Sequence, residues 1–133
     1  MGDSPAMTIG EAARVTGVGI HTLRYYEKQD LLRVPRTANG QRRFGPSELA
    51  SVRFIAQLRK TGMPIGTIRE YAEMVRSGTA TADASLQLLE NHRDDVLRHL
   101  DEQKRYLTAI RLKIAAYRAE IQPDEPAGDG APT

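Results

Sequence analysis

Hydrophobic residues recur at helical spacing in two short stretches near the start of the chain, separated by a turn that contains glycine. Thr8 followed three residues later by Glu11 matches the capping box that begins many helices. Gly17 and Gly19 interrupt this helix, and a second helix is predicted over 20–28. Two short helices joined by a tight turn are typical of a helix-turn-helix motif. The predicted inward positions are Ile9, Ala12, Ala13 and Val15 in the first helix, and Leu23 and Tyr26 in the second.

The next segment, residues 31–44, has the pattern of a β-hairpin. Asn39-Gly40 favours a type I′ turn, because both residues tolerate the positive φ angles which that turn requires. The flanking residues are predicted to form two short strands whose exposed side is almost entirely arginine. Such a hairpin suits the wing of a winged helix-turn-helix, but a charged strand edge also discourages aggregation without any binding role.

Two more helices are predicted after the hairpin. Pro46 suits the first turn of a third helix that ends at Gly62, and Pro64 permits a fourth that ends near Gly78. The inward side of the third helix would hold Leu49, Val52, Ile55, Ala56 and the aliphatic part of Arg59. The apolar side of the fourth would hold Ile65, Ile68, Tyr71, Ala72 and Val75.

From residue 86 to 121 the pattern becomes a heptad repeat that predicts one long helix. Spacings of three and four alternate along the whole segment, and only Arg93 and Gln103 are polar. So narrow an apolar face needs a partner helix, and the chain has no second helix of matching length for an intramolecular bundle. We therefore predict a homodimer, with parallel or antiparallel pairing left open by the spacing. The predicted dimerisation residues are Leu86, Leu89, Val96, Leu100, Leu107, Ile110, Ile114, Tyr117 and Ile121.

Composition narrows the possible functions. The chain of 133 residues has no cysteine, which excludes disulfides and thiolate chemistry. It has neither a secretory signal nor the run of about 18 apolar residues that a membrane span needs, so we expect a cytoplasmic protein. Residues 1–62 hold ten basic and five acidic residues, whereas residues 63–133 hold nine and twelve. This asymmetry suggests that only the first part meets a polyanion.

Catalysis and cofactor binding have little support in the sequence. No metalloprotease, phosphate-loop or nucleophile motif is present, so we expect a protein that is not an enzyme and has no cofactor. The one cluster of potential metal ligands is His92, Asp95, His99 and Glu102 on the long helix. A solvated helix flank explains this cluster better than a metal site, and we predict none.

Double-stranded DNA is the polyanion that the first part suits best. A helix such as 20–28 can enter the major groove and present its exposed side chains to base edges, with the arginine hairpin along the backbone. Core packing with a surface ion pair is the alternative explanation for Arg24-Tyr25-Tyr26. The predicted DNA-binding residues are His21, Thr22, Arg24, Tyr25, Arg36, Asn39, Gln41, Arg42, Arg43 and Lys60.

Several motifs together resemble the MerR family of bacterial transcription regulators. They are Thr8-Ile9-Gly10-Glu11-Ala12-Ala13, Thr22-Leu23-Arg24-Tyr25-Tyr26-Glu27, Gly40-Gln41-Arg42 with Phe44 and Leu49, and Phe54-Ile55, Leu58-Arg59 and Thr61-Gly62-Met63-Pro64-Ile65. The resemblance covers roughly residues 7–120. It implies a mainly α fold with a winged helix-turn-helix domain over 7–78 and an antiparallel coiled-coil helix over 79–121. The absence of periodicity predicts a flexible lead-in over 1–6, and the proline, glycine and acidic residues of 122–133 predict a disordered tail.

The resemblance also implies a mode of action. Members of the family bind as homodimers to inverted repeats in promoter spacers and distort the DNA, so that RNA polymerase is controlled indirectly. This chain departs from the family at Gln41, where tyrosine is usual, and at Gly19, where a capping hydroxyl is usual. It also has Gln57 where an aldehyde-sensing branch has cysteine, so that branch's thiol chemistry is excluded. The sequence identifies no small-molecule effector. The alternatives are an excisionase-like protein that bends DNA without promoter control, and a coiled-coil adaptor.

Overall fold

The computed structural model describes residues 6–78 and 82–122, and these residues form five α-helices. The helices are α1 (Ile9–Thr16), α2 (Ile20–Lys28), α3 (Pro46–Lys60), α4 (Ile65–Ser77) and α5 (Ala82–Ile121). The predicted mainly α fold is therefore confirmed. The lead-in over 1–5, the start of the dimerisation segment at 79–81 and the tail from 123 lie outside the described residues. No described helix combines the length and the apolarity that crossing a bilayer requires.

The helix-turn-helix forms where the local sequence signals predict it. The Thr8 hydroxyl oxygen accepts a hydrogen bond from the Glu11 N–H at 3.2 Å, and the Glu11 carboxylate accepts one from the Thr8 N–H at 2.9 Å. At the other end of α1, Gly17 adopts a φ of 74°, and its N–H donates to the Ala13 carbonyl. This left-handed conformation costs glycine little, which allows the chain to turn sharply into α2.

The core lies between α1, α2, α3, α4 and the segment that connects α2 to α3. Buried apolar residues from these elements form a single cluster: Ala12, Leu23, Tyr26, Leu31, Leu32, Val34, Phe44, Val52, Ile55, Leu58, Met63 and Ile68. The inward positions Ala12, Leu23, Tyr26, Val52, Ile55 and Ile68 are confirmed. Three assignments are wrong. In α3, Leu58 rather than Arg59 faces the core, and both Val15 on α1 and Val75 on α4 are exposed, at 42% and 60%.

The hairpin differs from the prediction. Asn39 does not adopt a positive φ, so the turn is not type I′. Instead, the Gly40 N–H donates to the Thr37 carbonyl, Gly40 has a φ of 84°, and the Thr37 N–H donates to the Gln41 carbonyl. This arrangement is a three-residue loop ending in a left-handed residue. The Thr37 hydroxyl selects it by accepting hydrogen bonds from the N–H groups of Asn39 and Gln41.

The two predicted strands of the hairpin do not form a continuous ladder. Among the described residues, β pairing is limited to two isolated antiparallel bridges, Arg36 with Arg42 and Met7 with Phe44. Pro35 has no N–H to donate, which prevents a continuous ladder along the first arm of the hairpin. The second bridge instead joins Phe44 at the end of the hairpin to Met7, two residues before α1, at N···O distances of 2.8 and 2.9 Å.

The residues up to His92 form one compact unit, and those from Arg93 form another. The first unit includes the start of α5, where Leu88 and Leu89 are half-buried against the core cluster. Thr61, just after α3, lies 2.8 Å from His92 through its hydroxyl oxygen and the histidine Nε2. The Thr61 hydroxyl oxygen also lies 3.1 Å from the carbonyl oxygens of Gln57 and Leu58 at the end of α3. In the second unit, α5 continues as a regular helix.

Candidate DNA-binding interface

The exposed side of α2 presents the residue types that contact bases and phosphates. His21, Arg24 and Tyr25 are exposed, whereas the intervening Leu23 and Tyr26 are buried. Among the described residues, the side chains of His21 and Arg24 have no hydrogen-bond or ion-pair partner. The alternative explanation of Arg24 as half of a surface ion pair therefore finds no support in the part of the chain that the structure describes.

Arg59, at the end of α3, supports the exposed aromatic residue of α2. Its guanidinium lies 5.5 Å from the centre of the Tyr25 ring, within the range of a cation–π interaction. Burial raises the pKa of Tyr26, and the charge of Arg59 and its hydrogen bond to the tyrosine act in the opposite direction. Sequence reasoning missed this role, because it placed Arg59 on the inward side of the helix. Its spacing of 34 residues from Tyr25 carries no local signal.

The hairpin is attached to α2 by Glu27. One carboxylate oxygen of Glu27 lies 2.7 Å from Nε of Arg42, and the other lies 3.0 Å from Nη2 of Arg36. The remaining predicted hairpin residues, Asn39, Gln41 and Arg43, are exposed. The structure thus brings the predicted recognition helix and the predicted wing together. Glu27 was absent from the predicted site, although it directly follows Tyr25-Tyr26 in the motif.

Lys60 lies beside the beginning of α2. A groove of about 410 Å³ is bordered by the turn between α1 and α2, by Thr22, and by the end of α3 with Arg59 and Lys60. Thr22 is half-buried, and Lys60 is exposed. Gly19 precedes α2 and offers no side chain to cap it. The predicted residues Thr22 and Lys60 therefore share one surface.

The carboxyl end of α2 carries a second acidic anchor. Asp30 adopts a φ of 64°, and its carboxylate lies 3.3 Å from Arg33 Nε and 3.5 Å from Arg76 Nη2. The hydrogen bond from Arg33 lowers the pKa of Asp30, and the nearby positive charges of Arg33, Arg76 and Arg69 act in the same direction. The ion pairs of Asp30 thus hold the chain in place where it leaves α2.

The predicted dimerisation residues form a largely exposed apolar face on α5. Leu86, Leu100, Leu107, Ile110, Ile114, Tyr117 and Ile121 are exposed, and Val96 is half-buried. Leu89 differs from the rest, since it packs against the core of the first unit.

Within the described residues, no three histidine or carboxylate side chains are placed to hold a metal ion. Asp95 pairs with Arg98, and His99 lies 3.7 Å from Glu102.

The fold and its exposed basic face define a helix-turn-helix DNA-binding protein. Residues 7–75 match the model of the MerR HTH family regulatory proteins, and residues 49–117 match the model described as MerR, DNA binding. The chain belongs to the MerR family of transcription regulators. As a member of that family it is a regulator and not an enzyme.

Individual relatives agree with this assignment. The chain is 36% identical to an uncharacterised HTH-type transcriptional regulator of Haemophilus influenzae, over 84% of this chain and 83% of the relative. The fold is similar to a putative MerR family regulator from Listeria monocytogenes, with a TM-score of 0.82, 30% identity, and coverage of 88% and 89%. It is equally similar to HiNmlR, described as a MerR family regulator lacking the sensor domain, bound to promoter DNA. That TM-score is 0.81, with 35% identity and coverage of 87% and 94%.

Proposed function

We propose that this regulator acts as a homodimer on an inverted repeat within a promoter spacer, and that it distorts the DNA to control RNA polymerase. The observation that carries the proposal is the combination of two exposed features in one chain. These are the basic face made by α2 and the hairpin, and the apolar face of α5. The similarity to HiNmlR, which is described as bound to promoter DNA, supports the same proposal.

The charge distribution along α5 favours antiparallel pairing. Residues 82–103 contain six acidic and two basic residues, whereas residues 104–121 contain one acidic and five basic residues. Antiparallel helices would place the acidic half of each protomer against the basic half of its partner, whereas parallel helices would oppose like charges. Charges that flank a coiled-coil interface select orientation in this way. The polar residues Arg93 and Gln103 would help to set the register.

The placement of the side chains on α2 and the hairpin supports the following proposed DNA contacts. We assign base contacts in the major groove to the outer side of α2, through His21, Arg24 and Tyr25. We assign phosphate contacts to the hairpin, with Arg36, Arg42 and Arg43 as its cations and Asn39 and Gln41 at its tip. Thr22 and Lys60 would hold a further phosphate beside the groove at the start of α2. Arginine suits both tasks, because its planar guanidinium donates two parallel hydrogen bonds.

Control of polymerase would come from the shape of the DNA. A two-fold dimer requires an inverted repeat, since each recognition helix contacts one half of the site. Bending a site of about 20–30 base pairs costs on the order of 1–6 kcal/mol, which the hairpin contacts would offset. We expect that the protein acts in the cytoplasm and that it realigns promoter elements separated by an overlong spacer.

The proposal is tested on the promoter itself. Footprinting of the purified protein should protect an inverted repeat between the two promoter elements. Removing a base pair or two from that spacer should make transcription in vitro independent of the protein. If the spacer already has the optimal length and binding only lowers transcription, the activator mechanism is wrong. Bending of the duplex without any effect on transcription would favour an architectural protein instead.

A further inference from the structure

Glu27 is a carboxylate located between the side chains that we assign to DNA phosphates. Its side chain is only 20% exposed, and each oxygen contacts a different hairpin arginine. Oε1 accepts from Nε of Arg42 at 2.7 Å, and Oε2 contacts Nη2 of Arg36 at 3.0 Å. A negative charge in this position would by itself repel DNA. Its presence therefore needs a physical reason.

The reason lies in the pairing of the two arginines. Arg36 and Arg42 form an antiparallel bridge, so their side chains leave the hairpin on the same face. Two positive charges directly opposite each other destabilise such a pair. The carboxylate of Glu27 offsets this repulsion and holds both guanidinium groups beside α2. Without it, the arginines would move apart into solvent.

The contact between Arg42 and Glu27 leaves the terminal N–H groups of the Arg42 guanidinium available to other partners. Arg42 is held through Nε, which is the inner side of its guanidinium, and its two terminal nitrogens have no hydrogen-bond partner among the described residues. A planar guanidinium that is fixed on one side can present its other edge to a phosphate without a further loss of side-chain freedom.

We propose that Glu27 is a positioning residue for DNA binding, which orients Arg36 and Arg42 toward the phosphate backbone and stays in contact with them in the complex. The inference rests on the proposed function, because it assumes that these arginines contact phosphate. It predicts the opposite of what charge repulsion alone would give, since removing this negative charge should weaken DNA binding.

The test compares Glu27→Gln with Glu73→Gln, which removes the same charge from the exposed side of α4. Binding to the operator duplex is measured by fluorescence anisotropy over a series of salt concentrations. We expect Glu27→Gln to bind about tenfold more weakly, which corresponds to about 1.4 kcal/mol. The slope of log K against log salt should fall by about one for each phosphate that the arginines no longer bind. Glu73→Gln should leave both quantities unchanged. Equal or tighter binding by Glu27→Gln, with an unchanged or steeper slope, would overturn the proposal.

A second comparison uses the background in which Arg36 and Arg42 are both replaced by glutamine. There, Glu27 has nothing to position and only repels the DNA, so adding Glu27→Gln should strengthen binding. This reversal of sign separates positioning from a general loss of stability, which would weaken binding in either background. Further weakening in the double-arginine background would contradict the proposal.

A third measurement observes the natural protein and needs no Glu27 variant, so it does not depend on the folding of one. The Nε–H resonance of Arg42, assigned by its disappearance in Arg42→Lys, should show the hydrogen bond to the carboxylate in the free protein. It should keep that signature after DNA is added. Disappearance of the signature in the complex would show that Glu27 competes with DNA, and the proposal would be wrong. Failure of the natural protein to bind any operator would instead refute the proposed function.

Discussion

Arg69 on α4 donates two hydrogen bonds to a single residue at the end of α2. Its Nε contacts the backbone carbonyl of Gln29 at 2.8 Å, and its Nη2 contacts the side-chain oxygen of the same residue at 2.7 Å. Arg76, two turns further along α4, contacts Asp30. Helix α2 is thus held to α4 by polar contacts at its carboxyl end, in addition to the apolar core.

Replacing Arg69 with alanine should destabilise the protein, because it leaves the half-buried Gln29 carbonyl without its charged donor. Hydrogen bonds to charged groups contribute about 1.5–3 kcal/mol, so a decrease of about 2 kcal/mol in the free energy of unfolding is expected. Urea denaturation followed by circular dichroism measures it. The neighbouring Glu70, changed to alanine, serves as the control and should have little effect. Equal stability of the two variants would show that the double hydrogen bond contributes nothing.

Asp30 should make the stability depend on acidic pH. Because Arg33 lowers the pKa of Asp30 in the folded protein, the folded state favours the charged carboxylate more than the unfolded chain does. The resulting stabilisation is present above the ordinary aspartate pKa of 3.8 and disappears as the pH falls through the lower, folded-state value.

Asp30→Asn isolates this effect, since asparagine also tolerates the left-handed backbone at this position. Thermal melting at neutral pH and at pH values below 3.8 should show a smaller acid-induced destabilisation for the variant than for the natural protein. Parallel curves for the two proteins would exclude a contribution from Asp30. At neutral pH the variant should be the less stable of the two, because it no longer forms ion pairs with Arg33 and Arg76.

Arg24→Ala should reduce sequence discrimination. If Arg24 forms a bidentate contact with a base, its removal costs about 1–3 kcal/mol of preference for the operator over a random duplex. Competition binding with both duplexes measures the ratio directly. Arg14→Ala, which removes an exposed charge from α1, is the matched control. An equal decrease in affinity for operator and random DNA would reassign Arg24 to a phosphate contact.

Arg42→Ala should instead weaken binding to every sequence by a similar factor. If Arg42 contacts one phosphate, the slope of log K against log salt should decrease by roughly one. The measurement is a salt titration on operator and random duplexes in parallel. An unchanged slope would mean that Arg42 is held by Glu27 for structural reasons alone.

Charged residues on the apolar face of α5 should produce monomers. Leu100→Glu combined with Leu107→Glu places two carboxylates where we expect the partner helix. Light scattering should then report the mass of one chain for the variant and twice that mass for the natural protein. Leu112→Glu offers a control, because Leu112 lies outside the heptad positions and is 67% exposed. This variant should remain dimeric. A dimer that survives the double substitution would rule out this interface.

Local signals in the sequence were sufficient to predict the helices. The capping box at Thr8 and Glu11 and the glycine at 17 act over a few residues, so their effect does not depend on the rest of the fold. The apolar periodicity correctly placed Leu23, Tyr26 and Ile68 in the core. The heptad spacing predicted the long helix for the same reason, since one turn of helix needs only neighbouring residues.

Only the tertiary structure decided how these elements meet. The hairpin turn is different, because its contacts are local: the Thr37 hydroxyl satisfies two backbone N–H groups within the same turn and so overrides the preference of Asn39-Gly40 for type I′. Glu27 contacts Arg42, Arg59 contacts Tyr25, and Arg69 contacts Gln29, each across at least 15 residues. No periodicity or cap signals such a pair, because the partners become neighbours only after the helices have packed around their shared core. The residue types of the proposed DNA-binding face were therefore determined by the sequence, and their arrangement by the fold.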